Sequence, residues 1–212
     1  KAVILGIHPA ARIVDISHQI EPGGIRQAAA CIQEAYGFFP KGTVHVGVID
    51  PGVGTERRPI LVEAEGFWFV GPDNGIFSWV MDELPPKMVI HLTEPRFFLP
   101  QVSRTFHGRD VFAPAAAHIA KGVSPGAMGV PISDPTRLPT QEVQRRGDSL
   151  YGEVRRVDRF GNLITNIAKD LLFDFLGAGE PEIQVGTQVV RGMHETYAAV
   201  EEGRMLALIG SS

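Results

Sequence analysis

One stretch of the sequence joins an acidic residue, a glycine-rich turn and two arginines. Residues 49–58 read IDPGVGTERR, with Asp50 near the start and Arg57 near the end. A carboxylate at the end of a strand, a loop whose glycines let the backbone approach a ligand, and a following guanidinium are features of binding sites in α/β sheets. The alternative is a tight turn with solvated arginines. The Gly-Val-Gly run is not the longer dinucleotide fingerprint, and the chain has no phosphate-loop lysine motif.

A histidine lies in a second polar loop, where residues 105–114 read TFHGRDVFAP. Among the seven histidines, His107 has the most polar, loop-like surroundings, and the neighbouring Gly108 leaves room for a small ligand. A structural role for this histidine stays open. His107 and Asp110 supply two metal ligands without a third at a suitable spacing, so we predict no metal site.

A third segment, residues 157–166, reads VDRFGNLITN. Asp158 and Asn162 could form a turn in which side chains cap the backbone. They could equally face a pocket that recognises a zwitterion, because a carboxylate accepts from an ammonium and an amide binds a carboxylate or an amine. No segment resembles a nucleophile elbow, and the single cysteine, Cys31, lies in an apolar run, so a covalent mechanism has no evident nucleophile.

Alternating strand-like and helical segments must position these groups. Strand-like runs at residues 12–16, 44–49, 60–64, 67–70 and 88–92, with helical segments at 25–38 and 110–121, predict a layered α/β domain over residues 1–131. The run 44–49 is apolar almost throughout, as expected for a central strand, and leads to Asp50. Glu65 and Gly66 predict a hairpin turn.

The proline-rich segment that begins at Pro131 predicts a change of domain, and we assign residues 132–148 to a linker. Beyond it, short strand-like runs at 150–158, 182–185, 188–190 and 204–209 alternate with glycine-rich turns. Residues 149–212 are therefore predicted to form a small all-β, barrel-like domain.

The composition limits the classes of partner. Hydrophobic residues make up 44% of the 212 residues, enough to bury a core. The net charge of -4 and the absence of long basic runs disfavour nucleic acid as a ligand. No apolar stretch approaches the ~20 residues of a membrane-spanning helix, so no membrane partner is expected. One cysteine excludes an intrachain disulfide and favours a reducing compartment, which we take to be the cytoplasm.

Taken together, the three polar segments resemble the signatures of the S-adenosyl-L-methionine (SAM) hydrolases. These enzymes are also called SAM hydroxide adenosyltransferases, and they are relatives of the fluorinase and the chlorinase. Supporting matches are VDISH at 14–18, GPDNG at 71–75 and LIGSS at 208–212. The resemblance runs across essentially the whole chain in the order of the family's motifs.

The resemblance implies a fold, an assembly and a set of roles. It implies an α/β domain followed by a β domain, in a homotrimer that binds SAM between neighbouring subunits. Its catalytic Asp, Arg and His fall on Asp50, Arg57 and His107, around a water that attacks ribose C5′ and releases adenosine and methionine without a cofactor. Which group takes the water's proton stays open. The position of Asp50 carries Tyr in the halogenating relatives, so the sequence matches the hydrolases.

Further site residues follow from the resemblance. Its methionine contacts fall on Asp158, Asn162 and Ser211, and we add Phe106 and Gly108, which flank His107, as substrate contacts. The resemblance also implies a strand with a ribose-binding Asp ahead of the first helix and a continuation after residue 212, and we expect both to be missing from this sequence. The alternative functions are a SAM-dependent halogenase and a non-catalytic protein that binds SAM or adenosine.

Overall fold

The computed structural model describes residues 1–158 and 160–210. It divides into two compact units, Lys1–Pro139 and the residues from Thr140 onward. The first unit contains helices α1 (Ala2–Ile7), α2 (Ile25–Tyr36), α3 (Ser78–Glu83) and α4 (Ala113–Ala120), and strands β1 (Val44–Val46), β2 (Pro59–Ala64), β3 (Phe67–Pro72), β4 (Met88–Leu92) and β5 (Gly129–Pro131). None of the helices in the described residues has the length and apolar character needed to cross a bilayer.

The five strands of the first unit form one mixed sheet in the order β1-β3-β2-β4-β5. Strand β1 runs parallel to β3, and the other neighbouring pairs are antiparallel. Strands β2 and β3 form the predicted hairpin, with Ala64 opposite Phe67. Its two turn residues, Glu65 and Gly66, have φ values of 50° and 82°. A tight hairpin turn with two positive φ values matches the twist of the strands, which confirms the predicted turn.

Both faces of this sheet are covered by helices. Val62 and Phe69 point to a cluster that includes apolar side chains of α2 and α3, whereas Leu61 and Val70 point to a cluster that includes those of α4. The division follows from the alternation of side chains along each strand. The layered α/β architecture predicted for the N-terminal part is confirmed.

Two predicted strands differ from the observed ones. The run 44–49 forms a strand only over Val44–Val46, and β1 lies at one edge of the sheet among the described strands. Its apolar pattern suggested a strand covered on both faces, but Val46 and Val48 are each 40% exposed, and the buried members of the run are His45 and Gly47. Residues 12–16 form no strand. Val14 is 66% exposed there, so its β propensity is not used in the sheet.

The predicted helix at 110–121 begins earlier and in a different form. Residues Gly108–Phe112 form a π-helical turn that leads into α4. Pro114 lies in the first turn of α4, where it has no N–H to donate to the π-helical turn before it. Single π-helical turns are frequent at functional sites.

The second unit is rich in short strands, as predicted. It contains β6 (Gln144–Arg146), β7 (Ser149–Tyr151), β8 (Val154–Val157), β9 (Leu163–Thr165), β10 (Glu182–Val185) and β11 (Gln188–Arg191). In the described residues these strands pair as three separate two-stranded antiparallel sheets rather than as a closed barrel. The unit also contains one helix, α5 (Lys169–Leu176), which the prediction of an all-β domain missed. Its KDLLFDFL sequence has a helical spacing of apolar residues. Residues 204–209, predicted as a strand, are irregular.

The boundary between the units lies within the predicted linker. Residues up to Pro139 are assigned to the first unit. The contacts that hold them there include those from Thr136 N to Asp73 Oδ1 and from Leu138 N to Ser78 Oγ, each at 2.7 Å. The first part of the segment is therefore bound to the first unit rather than loose.

Candidate active site

The chain brings Asp50 to the site by an irregular extension of β1. The strand ends at Val46, and one further backbone bond joins Gly47 N to Val70 O at 3.1 Å. Beyond that point a side chain takes over, because Asn74 Nδ2 donates to Ile49 O at 2.8 Å. The peptide that leads into Asp50 is thus held by a residue from the turn after β3.

A tight loop then returns the chain over Asp50. Gly54 has φ of 77°, and a Cβ atom there would lie 2.4 Å from Arg104 O, so only glycine fits. Thr55 Oγ1 donates to Gly52 O at 2.6 Å and accepts from Arg57 N at 3.3 Å. The glycine-rich loop predicted from the sequence therefore positions the Arg57 side chain next to Asp50.

Asp50, Arg57 and His107 are in direct contact. Arg57 Nε donates to Asp50 Oδ1 at 3.1 Å, and Arg57 Nη2 donates to Asp50 Oδ2 at 2.5 Å. The same Nη2 lies 2.9 Å from His107 Nδ1. The side chains of Arg57 and Asp50 are only 7% and 6% exposed, and the Arg57 guanidinium lies over the Phe112 ring at 5.2 Å. Three residues that the sequence could only propose separately form one partly buried cluster.

The hydrogen bonds fix the roles of the donors in this cluster. A guanidinium can only donate, so His107 must accept at Nδ1, which leaves the ring proton of the neutral imidazole on Nε2. Arg57 Nη1 is buried and has no hydrogen-bond partner among the described residues. A buried donor without a partner is costly, and such groups are rare away from functional sites. The cluster therefore offers a fixed cation, a carboxylate and an N–H donor to a small polar ligand.

Asp110 anchors the loop that carries His107. Its fully buried carboxylate accepts from Arg109 Nε at 2.6 Å and from Ser103 N at 2.8 Å. The hydrogen bond from Arg109 lowers the pKa of Asp110, and that from Ser103 adds to this effect, outweighing the opposing effect of burial. Both oxygens are engaged in holding the loop. Within the described residues, no group of three or more His, Cys, Asp or Glu side chains is arranged to hold a metal ion.

The two residues that flank His107 differ in exposure. Phe106 is 59% exposed, and the Arg109 guanidinium lies over its ring at 5.2 Å. Gly108 packs close to Val48, because a Cβ atom there would lie 3.2 Å from Val48 Cγ1. Their predicted role as substrate contacts stays a prediction.

Asp158 and Asn162 form a compact loop between β8 and β9. Asp158 Oδ1 accepts from Phe160 N at 2.8 Å and from Asn162 N at 2.9 Å, while Asp158 Oδ2 accepts from Asn162 Nδ2 at 2.8 Å. Burial raises the pKa of Asp158, but the hydrogen bonds from Asn162 and Phe160 outweigh it and the net shift is downward. The turn foreseen from the sequence is present, and recognition of methionine stays a prediction. Ser211 lies outside the described residues.

Sequence reasoning missed the supports of the cluster. Arg58, the neighbour of Arg57, donates through Nε to Asp73 Oδ2 at 2.8 Å and through Nη1 to Asp134 Oδ1 at 2.9 Å. Asn74, next to Asp73, holds Ile49. The GPDNG run at 71–75 contains both supporting residues, but nothing in its local pattern shows that they reach the Asp50 loop.

Comparison with known proteins gives a consistent result over the whole chain. A model of the SAM hydroxide adenosyltransferase N-terminal domain matches residues 1–129, and a model of its C-terminal domain matches residues 152–212. An (R)-S-adenosyl-L-methionine hydrolase of Thermus thermophilus is 39% identical over all of this chain and 82% of its own length. A crystal structure of an uncharacterised conserved protein from Thermotoga maritima superposes with a TM-score of 0.90 at 33% identity, covering 99% of this chain and 82% of that one. A fluorinase of an Actinoplanes species is more distant, at 26% identity over 79% of this chain and 65% of its own length.

Proposed function

The chain belongs to the SAM hydroxide adenosyltransferase family, and we propose that it hydrolyses SAM to adenosine and L-methionine. The observation that carries this proposal is the direct contact of Asp50 and His107 with one partly buried guanidinium. A relative with 39% identity across the chain is named for the same reaction.

The proposed reaction is a substitution at C5′ of the ribose. The water oxygen forms a bond to C5′, the bond from C5′ to the sulfonium breaks, and its electron pair leaves with neutral methionine. One proton is released to the solvent. As a base takes the water's proton, the attacking oxygen becomes hydroxide-like. This anionic nucleophile and the cationic sulfonium lose charge as they react, so a site that excludes water favours the transition state. Methionine needs no acid to leave.

The hydrogen bonds suggest how the three side chains divide the work. Arg57, which is held by Asp50 and His107, would supply a fixed cation beside the attacking water. His107 uses Nδ1 to accept from Arg57, so its Nε2–H is a donor rather than a base. Asp50 is then the remaining acceptor for the water's proton. No cofactor takes part, because SAM itself carries the leaving group.

The rest of the site is proposed from the family resemblance. Asp158 would accept from the methionine ammonium, Asn162 and Ser211 would also contact methionine, and Phe106 and Gly108 would contact the substrate near His107. The loop of Asp158 supports this by holding the carboxylate in one orientation while leaving acceptor capacity. We further propose a homotrimer with sites at subunit interfaces, located in the cytoplasm.

A SAM-dependent halogenase is the second candidate, because fluorinases are also related to the chain. A halide requires a small apolar cradle, whereas the observed cluster contains two charged side chains and an imidazole. The hydrolases are also the more similar relatives, at 39% identity against 26%. Hydrolysis is therefore the better supported reaction.

Incubation with SAM in ¹⁸O-labelled water tests the proposal. Water attack at C5′ places the label on the 5′ oxygen of adenosine and none in methionine, which mass spectrometry distinguishes. Parallel samples with fluoride or chloride would yield a halogenated nucleoside if the chain were a halogenase. Unchanged SAM after prolonged incubation would instead indicate a non-catalytic binding protein.

A further inference from the structure

Asn74 connects two segments of the first unit through its side chain. It follows β3 and is partly buried. Its Nδ2 donates to Ile49 O at 2.8 Å, and its Oδ1 accepts from Ile76 N at 3.2 Å. One amide thus joins the turn ahead of α3 to the residue immediately before Asp50, 25 residues earlier in the chain.

The Ile49 carbonyl controls how the chain enters Asp50. This carbonyl and the Asp50 N–H belong to the same planar peptide unit, so fixing one fixes the other. The last β1 ladder contact is the bond from Gly47 N to Val70 O. Up to Gly47 the main chain is held by hydrogen bonds of the sheet, and at Ile49 it is held by the hydrogen bond from Asn74.

The turn that carries Asn74 is itself held by several hydrogen bonds. The neighbouring Asp73 is buried, and its two oxygens accept from Arg58 Nε at 2.8 Å and from Thr136 N at 2.7 Å. Asp73 N also donates to Arg58 O at 2.9 Å. Because Arg58 follows Arg57 directly, the same turn restrains both chain segments that meet in the Asp50–Arg57 pair.

We infer that Asn74 is a positioning residue for Asp50 and that it acts through the Ile49 carbonyl. The inference rests on the proposed function, since it assigns to Asn74 a contribution to the hydrolytic step. It contacts neither the water nor SAM in this role. Loss of its donor lets the Asp50 carboxylate move away from the attacking water, and small displacements of catalytic groups have large effects on rate.

Two substitutions separate the two hydrogen bonds of Asn74. Asn74→Ala removes both, and we expect kcat to fall roughly ten- to a hundredfold with little change in KM. Asn74→Asp keeps the size and the acceptor for Ile76 N–H but places an oxygen against the Ile49 carbonyl. Its kcat should fall at least as far. Wild-type kcat in Asn74→Asp would mean that only the turn at Ile76 matters and would overturn the inference.

Thr43→Val is the matched control. Thr43 Oγ1 donates to Pro40 O at 2.7 Å just before the start of β1, away from the end that leads to Asp50. This variant also loses one side-chain bond to a main-chain carbonyl, so it reports the general cost of such a loss. Its kcat per folded molecule should equal that of the wild type. Melting temperatures of all variants correct kcat for the folded fraction.

A double-mutant cycle with Asp50→Asn provides the decisive measurement. If Asn74 acts through Asp50, adding Asn74→Ala to Asp50→Asn lowers kcat by less than twofold, because the carboxylate is already absent. Full additivity of the two losses overturns the inference while leaving the hydrolase assignment intact. A wild-type chain that does not convert SAM contradicts the proposed function and the inference with it.

Discussion

Asp50 and Asp158 lie in similar local sequences but in different environments. Each follows a strand and precedes a turn that contains glycine. The partners of Asp50 come from distant positions, since Arg57 is seven residues away and links it to His107, another 50 residues along. Among the described residues, the hydrogen-bond partners of Asp158 are Phe160 and Asn162, at most four residues away. A carboxylate with distant partners indicates a site that the fold assembles, whereas one with local partners indicates a loop that forms by itself.

Substitutions of the two carboxylates should therefore have different effects on stability and activity. Breaking a buried ion pair by removing one partner leaves an unpaired charge and costs about 3–5 kcal/mol. Asp50 pairs with a guanidinium of 7% exposure, so replacement by alanine would perturb folding as well as chemistry. An amide of the same shape keeps one acceptor oxygen for Arg57 and therefore disturbs the pair less than alanine does.

The largest expected effect is that of Asp50→Asn on turnover. Removal of a general base reduces kcat by roughly 10²–10⁴-fold, and we expect a loss in this range with little change in secondary structure. Production of adenosine, followed by chromatography, measures it. The matched control is Asp82→Asn, which also removes a carboxylate from an arginine, in this case Arg137. Equal activity of wild type and Asp50→Asn would exclude Asp50 from the mechanism.

As the pH falls, the first unit should lose stability at a higher pH than the Asp158 loop does. Burial lowers the pKa of His45 from 6.5 to about 4, so the unfolded chain binds more protons between these values. The stability linked to His45 is therefore complete above pH 6.5 and decreases by about 3 kcal/mol as the pH falls towards 4. Burial also lowers the pKa values of His91 and His118, which adds a loss in the same direction. The stability that Asp158 contributes is present above pH 3.8 and is lost only as the pH falls through its lowered pKa.

Tryptophan fluorescence can follow this difference, because both tryptophans, Trp68 and Trp79, lie in the first unit. Urea unfolding at a series of pH values would give the free energy of unfolding that this signal reports. His45→Leu should flatten the dependence between pH 6.5 and 4. If the slope persists in this variant, another group is responsible.

A moderate effect is expected for Asp158→Asn on binding. Loss of a charge-assisted hydrogen bond to the methionine ammonium costs on the order of 1.5–3 kcal/mol, which lowers the affinity for SAM roughly ten- to a hundredfold. Adenosine has no ammonium, so its affinity should change little. Calorimetric titration of both ligands compares the two values. If the affinities for SAM and adenosine fall equally, Asp158 is a purely structural turn residue and, unlike Asp50, has no role in the site.

The smallest expected effect is that of a chelator. Because the proposed water activation uses Asp50, Arg57 and His107 alone, incubation with EDTA should leave the rate of adenosine production unchanged. Activity that disappears with EDTA and returns with Zn²⁺ or Mg²⁺ would contradict this scheme. The Asp158 loop would then have to be reconsidered as well, since its carboxylate was assigned to an ammonium.

The sequence alone determined the features that depend on near neighbours. The hairpin at Glu65 and Gly66, strand β4 and the turn of Asp158 were all predictable, because hydrophobic alternation, positive φ and local side-chain capping act within a few residues. The segments that carry Asp50, Arg57 and His107 were recognisable as polar, glycine-containing loops. The motifs in these segments also resembled those of the SAM hydrolase family.

Only the tertiary structure decided which of these loops meet. The contact between Arg57 and His107 joins residues 50 positions apart, and the bond from Asn74 to Ile49 spans 25. No local periodicity encodes such pairs, because they depend on the order of the strands in the sheet. The same reason explains why β1 lies at an edge and why residues 12–16 form no strand, since β propensity shows that a segment fits a sheet and not where it pairs.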